Sequence, residues 1–169
     1  MKDLHDLFIH EVQVMYNVEK QIVEALPNVI EAVSSSKLKT ALKEHLKETE
    51  KQVRRLEAVL QELGKPLSEV VSKSMESLLK EADKVIESGY EPNVKDAALI
   101  NCVQHVEHFE IASYGSLKAL AKKFKYDQIL DLLEENSREE GNANKTLTEI
   151  AEGTIFTQGI NEKAKKRAA

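Results

Sequence analysis

Tryptophan is absent from this sequence, and residues that break regular secondary structure are scarce. The 169 residues include only six glycines and three prolines. Runs of β-branched residues are also few, so the composition favours helices over sheets. The single cysteine, Cys102, excludes an internal disulfide. The chain is therefore predicted to form one all-α domain, and its length is sufficient for a sizeable hydrophobic core.

Three further absences each exclude a class of protein. No apolar run approaches the roughly 18 residues of a membrane-spanning helix, and the N-terminal MKDLHDLFIHEV is charged where a signal peptide needs an apolar core. The net charge of −5 argues against a general nucleic-acid binder. The sequence has no Gly-rich phosphate loop, no nucleophile with a base at fixed spacing and no zinc-type Cys/His cluster. We expect a cytoplasmic protein with no membrane or nucleic-acid partner.

Apolar residues at helical spacing divide most of the chain into four long helices. The first helix contains Pro27, where proline can introduce a kink. The serines at 34–36 end this helix and supply an N-cap for the second, and Gly64 and Pro66 stop the second. The four predicted helices span approximately residues 3–33, 37–63, 93–124 and 127–152.

A weaker helical pattern lies in the long connection between the second and third helices, through Met75, Leu79 and Ile86. Two antiparallel helical hairpins joined by a long crossover are typical of ferritin-like four-helix bundles, whereas an up-down-up-down bundle needs only short loops. We therefore predict a bundle over residues 1–153, with the crossover and its minor helix at 65–92. Residues 154–169 are predicted to form a loosely held surface tail or part of an oligomer contact.

Carboxylates interrupt the apolar stripe of the third long helix. Val103, Glu107, Glu110, Tyr114 and Leu117 follow one another at helical spacing, on the side expected to face the core. An ionised glutamate there costs several kcal/mol unless a partner neutralises it. No Lys or Arg shares this stripe. The other helices therefore either supply groups that neutralise these glutamates, or add more carboxylates, in which case a bound metal cation is implied.

The other three long helices also carry polar residues in their inward stripes, at matched depth. Glu19 and Gln52 lie about 15 and 16 residues from the first hairpin turn, and Glu110 and Glu140 about 15 and 14 residues from the second. At 1.5 Å per residue, each is roughly 22 Å from its turn. We therefore expect one polar layer to which all four helices contribute.

Several orientations in this layer stay open. Glu19 could face solvent if its helix is rotated, Glu107 could lie at the margin of the core, and Glu139 competes with Glu140 for the inward position. His45 could be a metal ligand or a core histidine hydrogen-bonded to a carboxylate. Four side chains are expected to play supporting roles: Tyr16 and Tyr114 as donors to the metal-site carboxylates, and His105 and His108 as structural residues.

Several carboxylates in one dry layer cannot all remain ionised unaided, so either some keep protons or a divalent cation lies among them. Iron and manganese suit oxygen-rich sites with one or two imidazoles. Di-iron carboxylate bundles combine single glutamates with Glu-x-x-His pairs. Here His45 is followed by Glu48 and Gln52, and Glu140 by Asn144, so neither helix carries such a pair.

The chain resembles the YciE/YciF family of ferritin-like proteins over nearly its whole length. The resemblance rests on FIHEVQVMYNVEKQI, EHLKETEKQVRRLE, LLKEADKVIES, VKDAALINCVQHVEHFEIASYGSL and REEGNANKTLTEIA. It implies a cytoplasmic ferritin-like bundle, a homodimer, linked in bacteria to stress responses. Asn144 is neutral where an acidic residue would fit the family's metal site better. The metal-site positions that the resemblance implies are Glu19, His45, Glu48, Glu107, Glu110 and Glu140.

Two main functions compete. The first is a ferritin-like metal-binding protein, of the di-iron or a related type, that holds a divalent metal, iron before manganese, and oxidises Fe(II) with oxygen or peroxide. Its core ligands would be Glu110 and Glu140, with Glu19 and Glu48 completing the layer and His45 as ligand or orienting group. The second is a structural or interaction protein without activity, whose polar layer fixes the register of the helices. A third, a protein-binding helical adaptor, rests only on exposed helix faces and the basic tail.

Overall fold

The structure is a computed structural model that describes residues 1–67, 70–155 and 157–165. Its helices in chain order are α1 (Leu4–Ala32), α2 (Ser36–Glu62), α3 (Lys73–Ile86), α4 (Pro92–Phe124), α5 (Asp127–Glu152) and α6 (Ile160–Ala164). Two short strands, β1 (Gly153–Thr154) and β2 (Thr157–Gln158), pair antiparallel between α5 and α6. The predicted all-α bundle is confirmed, with α3 as the minor helix of the crossover.

Local chemistry explains where the helices begin and end. The side chains of Asp3, Ser35 and Ser72 cap α1, α2 and α3 by accepting hydrogen bonds from backbone N–H groups in the first turns. Helix α1 continues through Pro27. Lys125 ends α4 in the left-handed conformation, with φ of 59°, and the chain turns at once into α5.

The long helices pack as two antiparallel hairpins, α1 with α2 and α4 with α5, and contacts of α1 with α4 and of α2 with α5 close the bundle. Phe8, near the start of α1, contacts Phe124 at the end of α4. Ser34, just after α1, contacts Asp96 in the first turns of α4. Helices α1 and α4 are therefore antiparallel, and the crossover must run the length of the bundle to connect α2 with α4.

The hydrophobic core lies between the four long helices and extends beneath α3. Met75 of α3 is fully buried, and the N–H of Ser72 donates to the Asn17 side chain of α1 at 2.9 Å. These contacts hold the crossover against α1 and α4. Among the helices of the described residues, none has both the length and the apolar character required to cross a membrane.

The described part of the C-terminal segment differs from the loosely held tail expected from the sequence. Helix α6 packs against α4 and α5, and Ile160 is buried with 3% exposure. Gly153, at φ of 86°, makes the turn out of α5 that brings the segment back. The sequence did not reveal this return because a five-residue helix has too short an apolar pattern. Of the basic residues, Lys166 and Arg167 lie outside the described residues.

Asp96 connects the start of α4 to the turn between α1 and α2. Its two carboxylate oxygens accept hydrogen bonds from the backbone N–H groups of Ser34 and Ser35, each at 2.8 Å. The Asp96 side chain is buried, with 1% exposure. This carboxylate therefore satisfies two backbone donors that the turn leaves without a helical partner.

We expect Asp96→Ala to lower the free energy of unfolding by roughly 3 kcal/mol, because two partly buried backbone N–H groups lose a charged acceptor. Asp96→Asn, which keeps one acceptor oxygen, should lose less. Urea unfolding followed by circular dichroism measures both. The exposed Asp131→Ala is the control and should change stability by no more than about 0.5 kcal/mol. An Asp96→Ala variant as stable as the parent would contradict the assigned role.

Candidate metal centre

The four long helices bring polar inward residues to one level of the bundle. Glu19, Gln52, Glu110 and Glu140, one from each long helix, are all 0% exposed. This confirms the matched depth and the inward orientation of Glu19. Glu140, and not Glu139, is the fully buried member of its pair. The polar layer consists of Glu19, His45, Thr49, Gln52, Glu107, Glu110, Asn136 and Glu140.

Four members of the polar layer lie close enough together to share one ion. One ligand-type atom from each of His45, Glu107, Glu110 and Glu140 lies within 4.8 Å of the corresponding atoms of the others. Glu107 is 0% exposed, so it belongs to the core and not to its margin. This group, called the His/Glu cluster below, could hold a metal ion.

His45 contributes a neutral imidazole to this cluster. Burial lowers the pKa of His45 to about 4, so the ring is uncharged at neutral pH. Its Nε2 lies 3.2 Å from Oε1 of Glu107, but the geometry forms no hydrogen bond, and neither ring nitrogen has a hydrogen-bond partner among the described residues. His45 therefore lies beside a carboxylate in a neutral form, and a neutral imidazole is the form that binds metals.

Burial dominates the electrostatics of the carboxyl groups. It raises the pKa of Glu19, Glu107 and Glu110 well above the ordinary glutamate value, and the nearby carboxylates raise these pKa values further. Burial also raises the pKa of Glu140, to about 7. Without a counter-charge, several of these groups therefore keep protons near neutral pH, and a bound cation would displace those protons.

Hydrogen-bond donors divide the four carboxyl groups into two pairs. The Tyr114 hydroxyl donates to Glu19 Oε1, and the Gln52 amide donates to Glu140 Oε1. In contrast, both oxygens of Glu107 and both oxygens of Glu110 have no hydrogen-bond partner in the described residues. Buried oxygens of this kind require a shared proton or a cation. The unsatisfied pair lies beside His45, within the His/Glu cluster.

Supporting contacts around the layer differ in part from those expected. Tyr114 follows Glu110 by one turn, but its hydroxyl donates to Glu19 and accepts a hydrogen bond from Asn136 Nδ2 at 2.8 Å. The Tyr16 hydroxyl donates a hydrogen bond to Glu57 at 3.2 Å, and Glu57 is not a member of the polar layer. Second-layer roles therefore cannot be assigned from one-turn spacing alone, because a tyrosine hydroxyl reaches across to a neighbouring helix.

Sequence reasoning missed Arg55, which joins α2 to α5 beside the polar layer. Its guanidinium contacts Glu139 at 2.7 Å and Glu135 at 2.6 Å, and it donates to Asn136 at 3.0 Å. Gln52 continues this network by donating to Glu139 Oε2 at 3.1 Å. Arg55 follows Gln52 by three residues, so helical spacing offered a signal that the two side chains are neighbours.

Glu19 belongs to the polar layer but not to the His/Glu cluster, and Glu48, Asn144 and His108 also lie outside the cluster. Glu48 is only half-buried and lines a cavity next to His45 and Glu107. Asn144 accepts a hydrogen bond from Gln104 at 3.1 Å, away from the four cluster residues. His108 is exposed and bonds the carbonyl of Gln104 in its own helix, as a structural residue would.

The donor set of the His/Glu cluster is chemically well suited to a divalent cation. It offers carboxylate oxygens from Glu107, Glu110 and Glu140 together with one neutral imidazole nitrogen, in a layer without thiolates. Oxygen-rich sites with few imidazoles suit hard or borderline cations. The interior position and the unsatisfied oxygens of Glu107 and Glu110 favour binding over solvation of the free carboxylates.

Comparison with known proteins places the whole chain in one group. YciF of Escherichia coli strain K12 is 39% identical over 169 residues, and the match covers 99% of each chain. The crystal structure of YciF, described as an E. coli stress protein, has a TM-score of 0.88 and covers 94% of this chain and 100% of its own. YcfI of Rhodopseudomonas palustris, also 39% identical, has a TM-score of 0.86 over 89% of this chain and 96% of its own.

A protein from Xanthomonas campestris shares the fold at 20% identity, with a TM-score of 0.74 over 95% of this chain and 98% of its own. The family described as "Domain of unknown function (DUF892)" matches residues 3–165. This match and the identity to YciF confirm the resemblance seen in the sequence motifs. The chain therefore belongs to the DUF892 family of YciF-type proteins.

Proposed function

We propose that this protein binds a divalent metal ion in the His/Glu cluster, as a ferritin-like stress-response protein. The observation that carries the proposal is the convergence of His45, Glu107, Glu110 and Glu140 within 4.8 Å. In this group no amide or hydroxyl side chain of the described residues donates to Glu107 or Glu110, and their contacts with the carboxyl groups of Glu140 and Glu19 need a shared proton. A cation would satisfy all of these groups at once.

Iron is the first candidate for the metal and manganese the second, because both accept oxygen-rich sites that include an imidazole. Bound Fe(II) would supply electrons to oxygen or peroxide. The protein's own part is to present Glu107, Glu110 and Glu140 in ionised form and His45 in neutral form. Glu19 lies at the edge of the site, where its bond to Tyr114 fixes its position. Burial in the polar layer excludes bulk water from these groups.

The cellular part of the proposal rests on the relatives. The E. coli protein YciF is described as a stress protein, and we extend a stress-related role to this chain on the basis of 39% identity over its length. A cytoplasmic homodimer, as the family resemblance implies, is part of the same proposal.

A second candidate function is a structural or interaction protein in which the polar layer only fixes the register of the helices. The observation in its favour is the set of hydrogen bonds between helices at this level. Tyr114 joins α4 to Glu19 of α1, Gln52 joins α2 to Glu140 of α5, and Arg55 joins α2 to Glu139 of α5. Such a network can specify helix register without a metal.

The metal proposal predicts a rise in thermal stability on adding Fe(II) without oxygen or Mn(II), and a fall on adding a chelator. A ligand that binds only the folded state stabilises it by RT ln(1 + [L]/Kd), about 2.7 kcal/mol at a hundredfold excess over Kd. Differential scanning calorimetry and elemental analysis of native protein measure the two effects. Protein that contains no metal and shows no shift with either ion would refute the proposal.

The variant Glu110→Gln separates the two functions, because it removes a charge and keeps the shape. If a metal is bound, loss of this carboxylate should weaken binding by roughly ten- to a hundredfold or more, and the metal-loaded variant should melt below the metal-loaded parent. Exposed Glu50→Gln is the matched control and should behave as the parent. Melting curves with added Mn(II) provide the measurement.

In chelator the same variant should show the opposite sign. Burial raises the pKa of Glu110 in the folded state. The unfolded chain therefore releases this proton at lower pH than the folded chain does, and the parent loses stability as pH rises from about 4.5. Glutamine at position 110 does not titrate, so the variant does not lose this stability. It should equal or exceed the parent at pH 7.5, with a smaller difference at pH 5. Equal destabilisation with and without chelator would contradict both functions.

A further inference from the structure

His45 and Glu107 lie at the inner end of a cavity between α2 and α5. The cavity has a volume of about 250 Å³. One water needs roughly 15 Å³ of such space, so the cavity can admit an ion with part of its hydration shell. Glu107 faces this space with 0% exposure and with both carboxylate oxygens unpartnered among the described residues. The cavity therefore leads to the Glu107 carboxylate, whose oxygens accept no hydrogen bond from an amide or hydroxyl side chain of the described residues.

The other side of His45 offers no comparable route. The cavity there has a volume of about 20 Å³, near that of a single water. Its walls are apolar side chains of α1, α3 and α4, including Ile22, Leu79 and Val103. A hydrated cation would lose its water there without gaining a ligand. Of the two sides of His45, only the one between α2 and α5 is suited to the passage of an ion.

Carboxylates lie along the α2 wall of the larger cavity. Glu48 is half-buried and forms no ion pair within the part of the chain that the structure describes, whereas Glu44 is exposed and paired with Lys47 at 2.8 Å. The α5 wall presents neutral residues, among them Ala143 and Thr146. Outside the His/Glu cluster, Glu48 is therefore the carboxyl group of this cavity that forms no ion pair within 4 Å in the described residues.

We propose that this cavity is the port through which a divalent cation reaches the His/Glu cluster, and that Glu48 binds the cation in transit. The inference rests on the proposed function. Glu48 precedes the cluster on the path from solvent, and it follows His45 by three residues on α2, a spacing that makes the two side chains neighbours. It is not one of the four residues whose ligand atoms converge within 4.8 Å, so it passes the cation on and does not retain it.

Uptake kinetics distinguish a transit ligand from a resident one. The probe is Co(II) added to metal-free protein in a stopped-flow instrument, with its visible absorbance as the signal of binding. For Glu48→Gln we expect the uptake rate to fall about tenfold, within the range that local charge contributes to association, and Glu48→Lys should be slower still. Since a transit site assists passage in both directions, dissociation should slow in parallel and Kd should change much less than the rate. The final stoichiometry should equal that of the parent.

A further variant tests the route without changing its charge. Ala143→Leu places a larger side chain in the cavity and should also slow uptake. Two matched controls keep the parental rate: Glu50→Lys, an exposed glutamate of α2 outside this cavity, and Ala58→Leu, an exposed alanine of the same helix. Raising the salt concentration should slow uptake by the parent more than uptake by Glu48→Gln, because screening acts on the charge that the variant lacks.

Two results overturn the port and leave the metal site intact. Parental uptake rates in both Glu48 variants and in Ala143→Leu would show that the cation takes another route. A Glu48→Gln variant with weaker Kd, lower stoichiometry and an unchanged uptake rate would make Glu48 a resident ligand. A parent that binds no Co(II), Mn(II) or Fe(II) at equilibrium refutes the proposed function itself, and the port with it.

Discussion

Four carboxyl groups buried in the core of one helical bundle are the constraint on which the rest of the structure depends. Glu19, Glu107, Glu110 and Glu140 are each 0% exposed, and ionising any of them without a partner costs several kcal/mol. Protons or a cation must therefore accompany folding. Tyr114 and Gln52 stabilise Glu19 and Glu140 by donating hydrogen bonds. No such donor serves Glu107 or Glu110 in the described residues.

The topology keeps these groups at one level. Both hairpins have short turns, so residues equally far from a turn face each other, and the crossover returns the chain along the full bundle before α4 begins. Two anchors fix the crossover and its exit: Ser72 bonds to Asn17 of α1, and Asp96 bonds the turn that follows α1. These two anchors therefore set the position of Glu107 and Glu110 along the bundle axis relative to His45, although α2 and α4 are separated in sequence by the crossover.

The architecture and the depth of the polar layer could be predicted from sequence because helical rise is constant, so counting from a turn gives position along the bundle. Rotation about a helix axis is harder to predict. Glu48 lies about 60° around α2 from His45, and this offset places it at the cavity wall and not in the cluster. Long side chains add further uncertainty: Arg55 and Tyr114 reach neighbouring helices, which stripe analysis of one helix does not reveal.

On the proposed function, charge balance indicates which carboxyl groups of the polar layer would bind the cation and which would keep a proton. One divalent cation offsets two of the four negative charges, and the neutral form of His45 adds none. The two carboxylates beside His45 without donors, Glu107 and Glu110, are the pair that gains most from the cation. Glu19 and Glu140 already accept hydrogen bonds, which support ionisation less strongly than a metal does. With a single cation bound by ionised Glu107, Glu110 and Glu140, the carboxyl group that would still hold a proton is that of Glu19, the one of the four outside the His/Glu cluster.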